Sequence, residues 1–109
     1  MITCIANDYS FDAIFSRQVQ ALAQSGDILL VFSTSGDSSN IVRVVEVGRN
    51  KGLATIGLLG RGGGQVRGMV NYSVVVKSDS TARIQEVHTF LIHYFCEMVE
   101  LVFNPNYRR

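Results

Sequence analysis

The sequence of 109 residues has only two cysteines, almost no net charge and no long apolar segment. Cys4 and Cys96 are far apart and belong to no Cys-x-x-Cys pair, which disfavours a thiolate metal site or a redox pair. We therefore predict that both are reduced and buried. The formal net charge of +1 comes from interspersed charges, and the only basic doublet is Arg108-Arg109. Because no basic block or stripe is present, no nucleic-acid partner is expected.

The same lack of long apolar segments bears on membranes and targeting. No stretch reaches the roughly 20 apolar residues that a membrane-spanning helix needs. The first residues have neither a basic start nor a long apolar core, so no signal peptide is predicted. We expect a cytoplasmic protein with no membrane partner. A hydrophobic content of 47% in a chain of this length predicts one small globular domain.

The chain alternates short apolar runs with helical patterns. The apolar runs predict three buried strands and a shorter opening strand: residues 28–32, 54–59 and 70–76, and residues 2–6. Helical spacing predicts three helices and one helical turn: residues 11–24, 38–50 and 82–103, and residues 65–69. This alternation is typical of a parallel sheet covered on both faces. We predict an α/β fold with a flavodoxin-like doubly wound sheet that lacks its first units.

A hydroxyl-rich turn at residues 33–38, Ser-Thr-Ser-Gly-Asp-Ser, joins a predicted strand to a predicted helix. Ligands of open α/β sheets bind beyond the carboxyl ends of the strands, and the first turn of a helix attracts anions. No lysine follows, so the turn is not a nucleoside-triphosphate loop. We predict that it holds the phosphate of a sugar phosphate through four hydroxyls: Ser33, Thr34, Ser35 and Ser38. The alternative is a turn that only caps the helix.

A second loop, at residues 60–64, is rich in glycine but lacks Gly-x-Gly-x-x-Gly spacing. No acidic residue follows it at about 20 positions, so we reject a dinucleotide site. We expect a mobile loop at the same sheet edge. Arg61 in this loop either contacts the ligand or is only solvated.

The last predicted helix carries apolar residues on several sides. This predicts that a second subunit covers part of it, the alternative being a core helix with scattered exposed aromatics. Gln85, Thr89 and His93 follow one side of the helix, with Gln85 and His93 about 12 Å apart along its axis. They therefore do not chelate one ion as a His-x-x-x-His pair would, and the alternative is that they line one elongated pocket or share a site on a cleft. His88 is offset, and we expect it to pack or to form a structural hydrogen bond.

Three segments together resemble the sugar isomerase (SIS) family, and within it the phosphoheptose isomerases. They are residues 3–8 (Thr-Cys-Ile-Ala-Asn-Asp), residues 33–38, and residues 82–88 (Ala-Arg-Ile-Gln-Glu-Val-His) followed by His93. The resemblance covers nearly the whole chain. It implies an aldose–ketose isomerisation of sedoheptulose 7-phosphate to glycero-manno-heptose 7-phosphate, in which a base moves a proton between neighbouring carbons through an enediol.

The resemblance also implies roles for single residues. Ser33, Thr34, Ser35 and Ser38 would bind the phosphate, and Asn7 and Asp8 would contact the sugar chain. Gln85 would bind substrate and belong to the catalytic residues, and His93 would act as acid/base. In metal-containing members, Gln85 and His93 would be zinc ligands. Such enzymes are homotetramers with sites at subunit boundaries.

Two motifs of the family are absent from this sequence. One is an Asn-Gly-Gly-Ser loop, and the other is a helix with His-x-x-x-Glu whose glutamate is the expected base. We therefore expect a C-terminal portion of a SIS domain that is inactive alone. The alternative is a non-catalytic SIS protein that binds a sugar phosphate or a replication-initiator partner. Gln85 and His93 favour the isomerase, whereas the absent base favours the alternative.

Overall fold

The computed structural model describes residues 1–107, so the basic doublet at 108–109 lies outside the described residues. Helices and strands alternate along this part of the chain, with 3-10 turns at Phe11–Ala13 and Val66–Gly68. In chain order they are α1 (Ile2–Asp8), α2 (Ser16–Leu22), β1 (Ile28–Ser33), α3 (Ser39–Asn50), β2 (Ala54–Gly60), β3 (Tyr72–Val76) and α4 (Thr81–Phe103).

The three strands form one parallel sheet in the order β1-β2-β3. Leu30 of β1 lies opposite Ile56 of β2, and Ile56 lies opposite Tyr72 of β3. Parallel neighbours need a crossover connection, which α3 supplies between β1 and β2. The predicted α/β class with a parallel sheet is confirmed.

Helices lie on both faces of this sheet. On one face, Leu59 of β2 packs in a core with Val44 and Val45 of α3. On the other face, a Cβ built on Gly60 would come within 2.5 Å of Ile84 Cδ1 in α4. Successive residues of a strand point to opposite faces. Hence α3 and α4 cover opposite sides of β2, as in a doubly wound sheet.

The opening segment is a helix, so the predicted strand at residues 2–6 is wrong. The amide of Ile5 donates to Met1 O, and Ile5 is buried against Ala13 and Ile14. This packing decides the conformation, since a short apolar run alone fits a strand or a buried helix. The predicted helix at residues 11–24 is also interrupted, because a 3-10 turn at Phe11–Ala13 precedes α2.

The two cysteines are free but exposed, so the prediction that they are buried is wrong. Cys4 lies in α1 and Cys96 lies in the second half of α4. Each lies on a side of its helix that no other described element covers. The apolar composition around a cysteine does not reveal which side of its helix meets the core.

Much of the apolar surface of α4 is exposed in this chain. Ile84 and His88 are its buried residues, whereas Phe90, Val102 and Phe103 are 68%, 69% and 82% exposed. The predicted cover by a second subunit stays a prediction. Although α4 is the longest helix within residues 1–107, neither it nor any other helix there is long and apolar enough to cross a bilayer.

Candidate functional site

The hydroxyl-rich turn lies at the carboxyl end of β1, where the sequence predicts it. Ser38 is the N-cap residue of the 12-residue helix α3, yet its side chain forms no capping hydrogen bond. The first amides of a helix have no partner inside the helix. The amide of Ile41 donates to Ser38 O, whereas the Ser38 hydroxyl and the amides of Ser39 and Asn40 remain available to an anion, which disfavours the alternative of a turn that only caps α3.

Two other hydroxyls hold the shape of the turn. The amide of Gly36 donates to Ser33 Oγ at 2.9 Å, and the amide of Asp37 donates to Ser35 Oγ at 3.2 Å. Each serine oxygen is an acceptor in these bonds. Because a hydroxyl both accepts and donates, each still has a hydrogen to offer to a phosphate oxygen.

The glycine-rich loop packs directly on the turn. The amide of Val66 donates to Gly36 O at 3.0 Å, and the amide of Gln65 donates to Asp37 Oδ1 at 2.9 Å. Gly36 has a φ of +72°, and a Cβ on it would overlap the carbonyl oxygen of Gly63. The loop thus lies at the predicted sheet edge, and the two residues directly after it are hydrogen-bonded to the turn.

Arg61 points toward the start of α4. Its guanidinium donates to Thr81 Oγ1 at 3.1 Å. Arg61 does not line the cavity beside the turn. This arrangement does not support the interpretation that Arg61 contacts the ligand rather than being only solvated.

A cavity of about 500 Å³ separates the turn from α4. Half of its lining comes from β1 and the turn, and half comes from one face of α4. The lining residues are Phe32, Ser33, Thr34, Ser38, Gln85, His88, Thr89 and Ile92. The structure therefore brings three of the four predicted phosphate ligands together with Gln85, while Ser35 lies outside the lining.

His88 is the cavity residue that sequence reasoning missed. It is 5% exposed, and its Nε2 lies 2.8 Å from Leu59 O, so the expected structural hydrogen bond is confirmed. Its ring also lies against Phe32, with centroids 6.2 Å apart. The signal was its position three residues after Gln85, since residues three and four apart share a helix face.

His93, Asn7 and Asp8 lie outside the cavity lining in the described chain. His93 is exposed on α4, one turn beyond Thr89. Asn7 and Asp8 are exposed at the end of α1, where Asn7 Nδ2 donates to Asp8 Oδ1 at 3.2 Å. Their roles stay predictions that depend on contacts beyond this single chain.

The donors of this chain do not by themselves fit a zinc ion. Catalytic zinc sites use three protein ligands and structural sites use four. Residues 1–107 hold no group of three or more His, Cys, Asp and Glu side chains placed to bind a metal. Gln85 lines the cavity and His93 does not, and their role as zinc ligands stays a prediction.

Comparison with known proteins agrees with this fold and turn. The sequence profile of the SIS domain matches residues 2–60, which include α1, β1, the turn, α3 and β2. The chain belongs to the SIS family. This result confirms the family that the three sequence segments indicate.

Within the SIS family, relatives and solved structures similar to this chain carry the name phosphoheptose isomerase. The phosphoheptose isomerase of Geobacter sulfurreducens is 50% identical over 100 residues, which are 92% of this SIS chain and 53% of that protein. That of Fusobacterium nucleatum is 44% identical over 107 residues, or 97% of this chain and 55% of the relative. The structure of a phosphoheptose isomerase from Neisseria gonorrhoeae superposes with a TM-score of 0.86 at 42% identity, covering 90% of this chain and 56% of that one. The chain thus spans about half the length of the proteins it matches.

Proposed function

We propose that this chain supplies the phosphate-binding part of a phosphoheptose isomerase, which interconverts sedoheptulose 7-phosphate and glycero-manno-heptose 7-phosphate. The observation that carries the proposal is the cavity in which Ser33, Thr34 and Ser38 face Gln85 of α4. Relatives that bear this enzyme name at 44% and 50% identity support the same substrate class. A cytoplasmic location is proposed together with this activity.

The phosphate is proposed to bind at the turn. The hydroxyls of Ser33, Thr34 and Ser38 donate to its oxygens, and the first amides of α3 add the positive end of the helix dipole. Ser35 belongs to the same proposed set, because its hydroxyl accepts from Asp37 N and keeps its own hydrogen to donate. The neutral lining suits a monoester better than a triphosphate, which needs a cation.

The isomerisation requires a base within hydrogen-bond reach of the substrate carbon that loses its proton. No carboxylate lines the cavity among the described residues. Gln85 is proposed to bind the substrate there, while His93 is the proposed acid/base and Asn7 and Asp8 the proposed sugar contacts. Because His93, Asn7 and Asp8 lie outside the cavity, the chain alone is expected to bind the ligand without turning it over.

A homotetramer is proposed to complete the site. The exposed apolar side chains of α4 support an interface there: Phe90, Tyr94, Val99, Val102 and Phe103. A subunit boundary at this helix would place His93 next to another copy. Zinc at Gln85 and His93 would need further ligands from outside this chain, and no step of the proposal runs through it.

The test measures the affinity of the 109-residue chain for sedoheptulose 7-phosphate by titration calorimetry. Ser38→Ala removes a hydroxyl from the cavity, whereas Ser73→Ala removes one from exposed strand β3. A hydrogen bond to a charged group contributes about 1.5–3 kcal/mol, so Ser38→Ala is expected to weaken binding by about tenfold or more. Equal affinities for both variants would contradict the proposed phosphate site.

A non-catalytic sugar-phosphate-binding SIS domain is the second candidate, favoured by the lack of a carboxylate in the lining. Adding the upstream half of the Geobacter sulfurreducens enzyme separates the two functions. If the protein is an isomerase, turnover is expected when the two halves are mixed. Binding without turnover, with a correctly assembled complex, would instead favour the second candidate.

A further inference from the structure

His88 is the ionisable residue among the described side chains that line the cavity. It lies on the same face of α4 as Gln85 and is 5% exposed. The partner of each ring nitrogen determines which nitrogen of a buried histidine carries the hydrogen.

The tautomer of His88 follows from the partner of Nε2. A carbonyl oxygen only accepts, so Nε2 must carry the hydrogen that it shares with Leu59 O at 2.8 Å. In the neutral ring, Nδ1 then has a lone pair and is an acceptor. The structure gives the ring this one hydrogen bond, and no fully buried side-chain nitrogen or oxygen within residues 1–107 is without a partner. Nδ1 is therefore not fully buried, and the ring to which it belongs lines the cavity.

The ring is also held rigidly. Leu59 O fixes its edge, and the Phe32 ring lies against it at an interplanar angle of 57°. An acceptor that is already fixed loses little conformational freedom when it binds a ligand. His88 thus offers one oriented lone pair from the α4 side of the cavity.

The turn and His88 differ in the hydrogen bonds that they offer, while Gln85 and Thr89 on α4 carry both donors and acceptors. The turn offers hydroxyl and amide donors, which suit phosphate oxygens. The Nδ1 lone pair of His88 disfavours those oxygens and suits a hydroxyl donor. His88 therefore favours an orientation in which the phosphate lies toward the turn and the hydroxyl chain lies toward α4.

We propose that His88 orients the substrate, with Nδ1 accepting a hydrogen bond from a hydroxyl of the bound sugar phosphate. The proposal rests on the proposed function, since it uses the same cavity. It gives His88 a role in distinguishing a sugar phosphate from inorganic phosphate.

Nitrogen NMR of the 109-residue chain tests this role directly. The sequence has two histidines, so a His93→Asn variant assigns the signals of His88. With sedoheptulose 7-phosphate, the Nδ1 signal of His88 is expected to shift in the direction of hydrogen bonding while Nε2 stays protonated. With inorganic phosphate, the amides of the turn are expected to shift and the Nδ1 signal is expected to stay.

The second measurement is the ratio of the two dissociation constants, for phosphate and for sedoheptulose 7-phosphate. His88→Phe keeps a ring against Phe32 and removes the acceptor, and it is expected to lower the preference for the sugar phosphate about threefold to tenfold. The control is Glu86→Gln, on α4 outside the cavity lining. The ratio cancels any general damage to the turn.

The outcomes separate the two proposals. If both ligands shift the turn amides but Nδ1 does not respond and the ratio is unchanged, His88 has no orienting role. If neither ligand binds, the proposed function fails and the role of His88 fails with it. Should His88→Phe not fold, the titration of the unaltered chain decides the question.

Discussion

Replacing Gly36 by alanine tests how the phosphate turn is built. Gly36 has a φ of +72°, which an L-residue adopts only with strain. Its new Cβ would also overlap the carbonyl oxygen of Gly63 and come within 2.5 Å of that carbonyl carbon. Both atoms belong to the backbone, so the turn or the glycine loop must move.

The expected cost has two parts. A left-handed conformation costs a non-glycine residue about 1–2 kcal/mol. Overpacking that shifts the backbone typically adds about 1–3 kcal/mol. Gly36→Ala is therefore expected to lower the free energy of unfolding by about 2–5 kcal/mol, a large share of the 5–15 kcal/mol typical of a domain.

Substitutions at two other glycines separate the conformational cost from the overpacking cost. Gly26 has a φ of +96° but nothing within 4 Å of a built Cβ, so Gly26→Ala carries only the conformational cost. Gly62 has neither a positive φ nor a neighbour within 4 Å, so Gly62→Ala should cost little. The expected order of destabilisation is Gly36, then Gly26, then Gly62.

The assay is urea unfolding at one fixed protein concentration, combined with a phosphate titration. Gly36→Ala is expected to lose stability and to bind phosphate more weakly, while Gly26→Ala binds as the unaltered chain does. The reasoning is refuted if Gly36→Ala is no less stable than Gly26→Ala and keeps its phosphate affinity.

Two further predictions use the same unfolding assay. Asp37→Ala removes the acceptor for the Gln65 amide and is expected to cost about 1 kcal/mol, whereas Asp37→Asn retains an acceptor and should cost less; equal losses would contradict this. Thr55→Val is expected to cost about 1–3 kcal/mol, because Thr55 is fully buried and its Oγ1 accepts from Asn71 N at 2.9 Å and donates to Asn71 Oδ1 at 3.1 Å. Thr55→Ser keeps the hydroxyl and should lose less than Thr55→Val, and the reverse order would show that the hydroxyl is not what matters.

The parts of the fold that the sequence predicts correctly depend on local chemistry. The continuous apolar runs of β1 and β2 and the helical spacing of α3 are properties of neighbouring residues. The end of α3 is similar, because Gly52 follows Lys51 and adopts a φ of +78° there. The position of the hydroxyl turn follows from these two elements.

The features that sequence reasoning missed depend on packing between distant residues. The helical state of residues 2–6 is fixed by burial of Ile5 against Ala13 and Ile14. The role of His88 depends on how α4 is rotated about its axis relative to the sheet. The sequence places Gln85 and His93 on one side of the helix with His88 offset, whereas the structure places Gln85 and His88 in the cavity lining and His93 outside it.

The central claim is that the turn at residues 33–38 binds the phosphate of a sugar phosphate. The most direct measurement is the amide NMR spectrum of the 109-residue chain titrated with sedoheptulose 7-phosphate. The account predicts saturable shifts at residues 36–40, next to the start of α3, with little change in Tyr72–Val76 of β3. Unmoved signals at residues 36–40 under a large excess of ligand would contradict it.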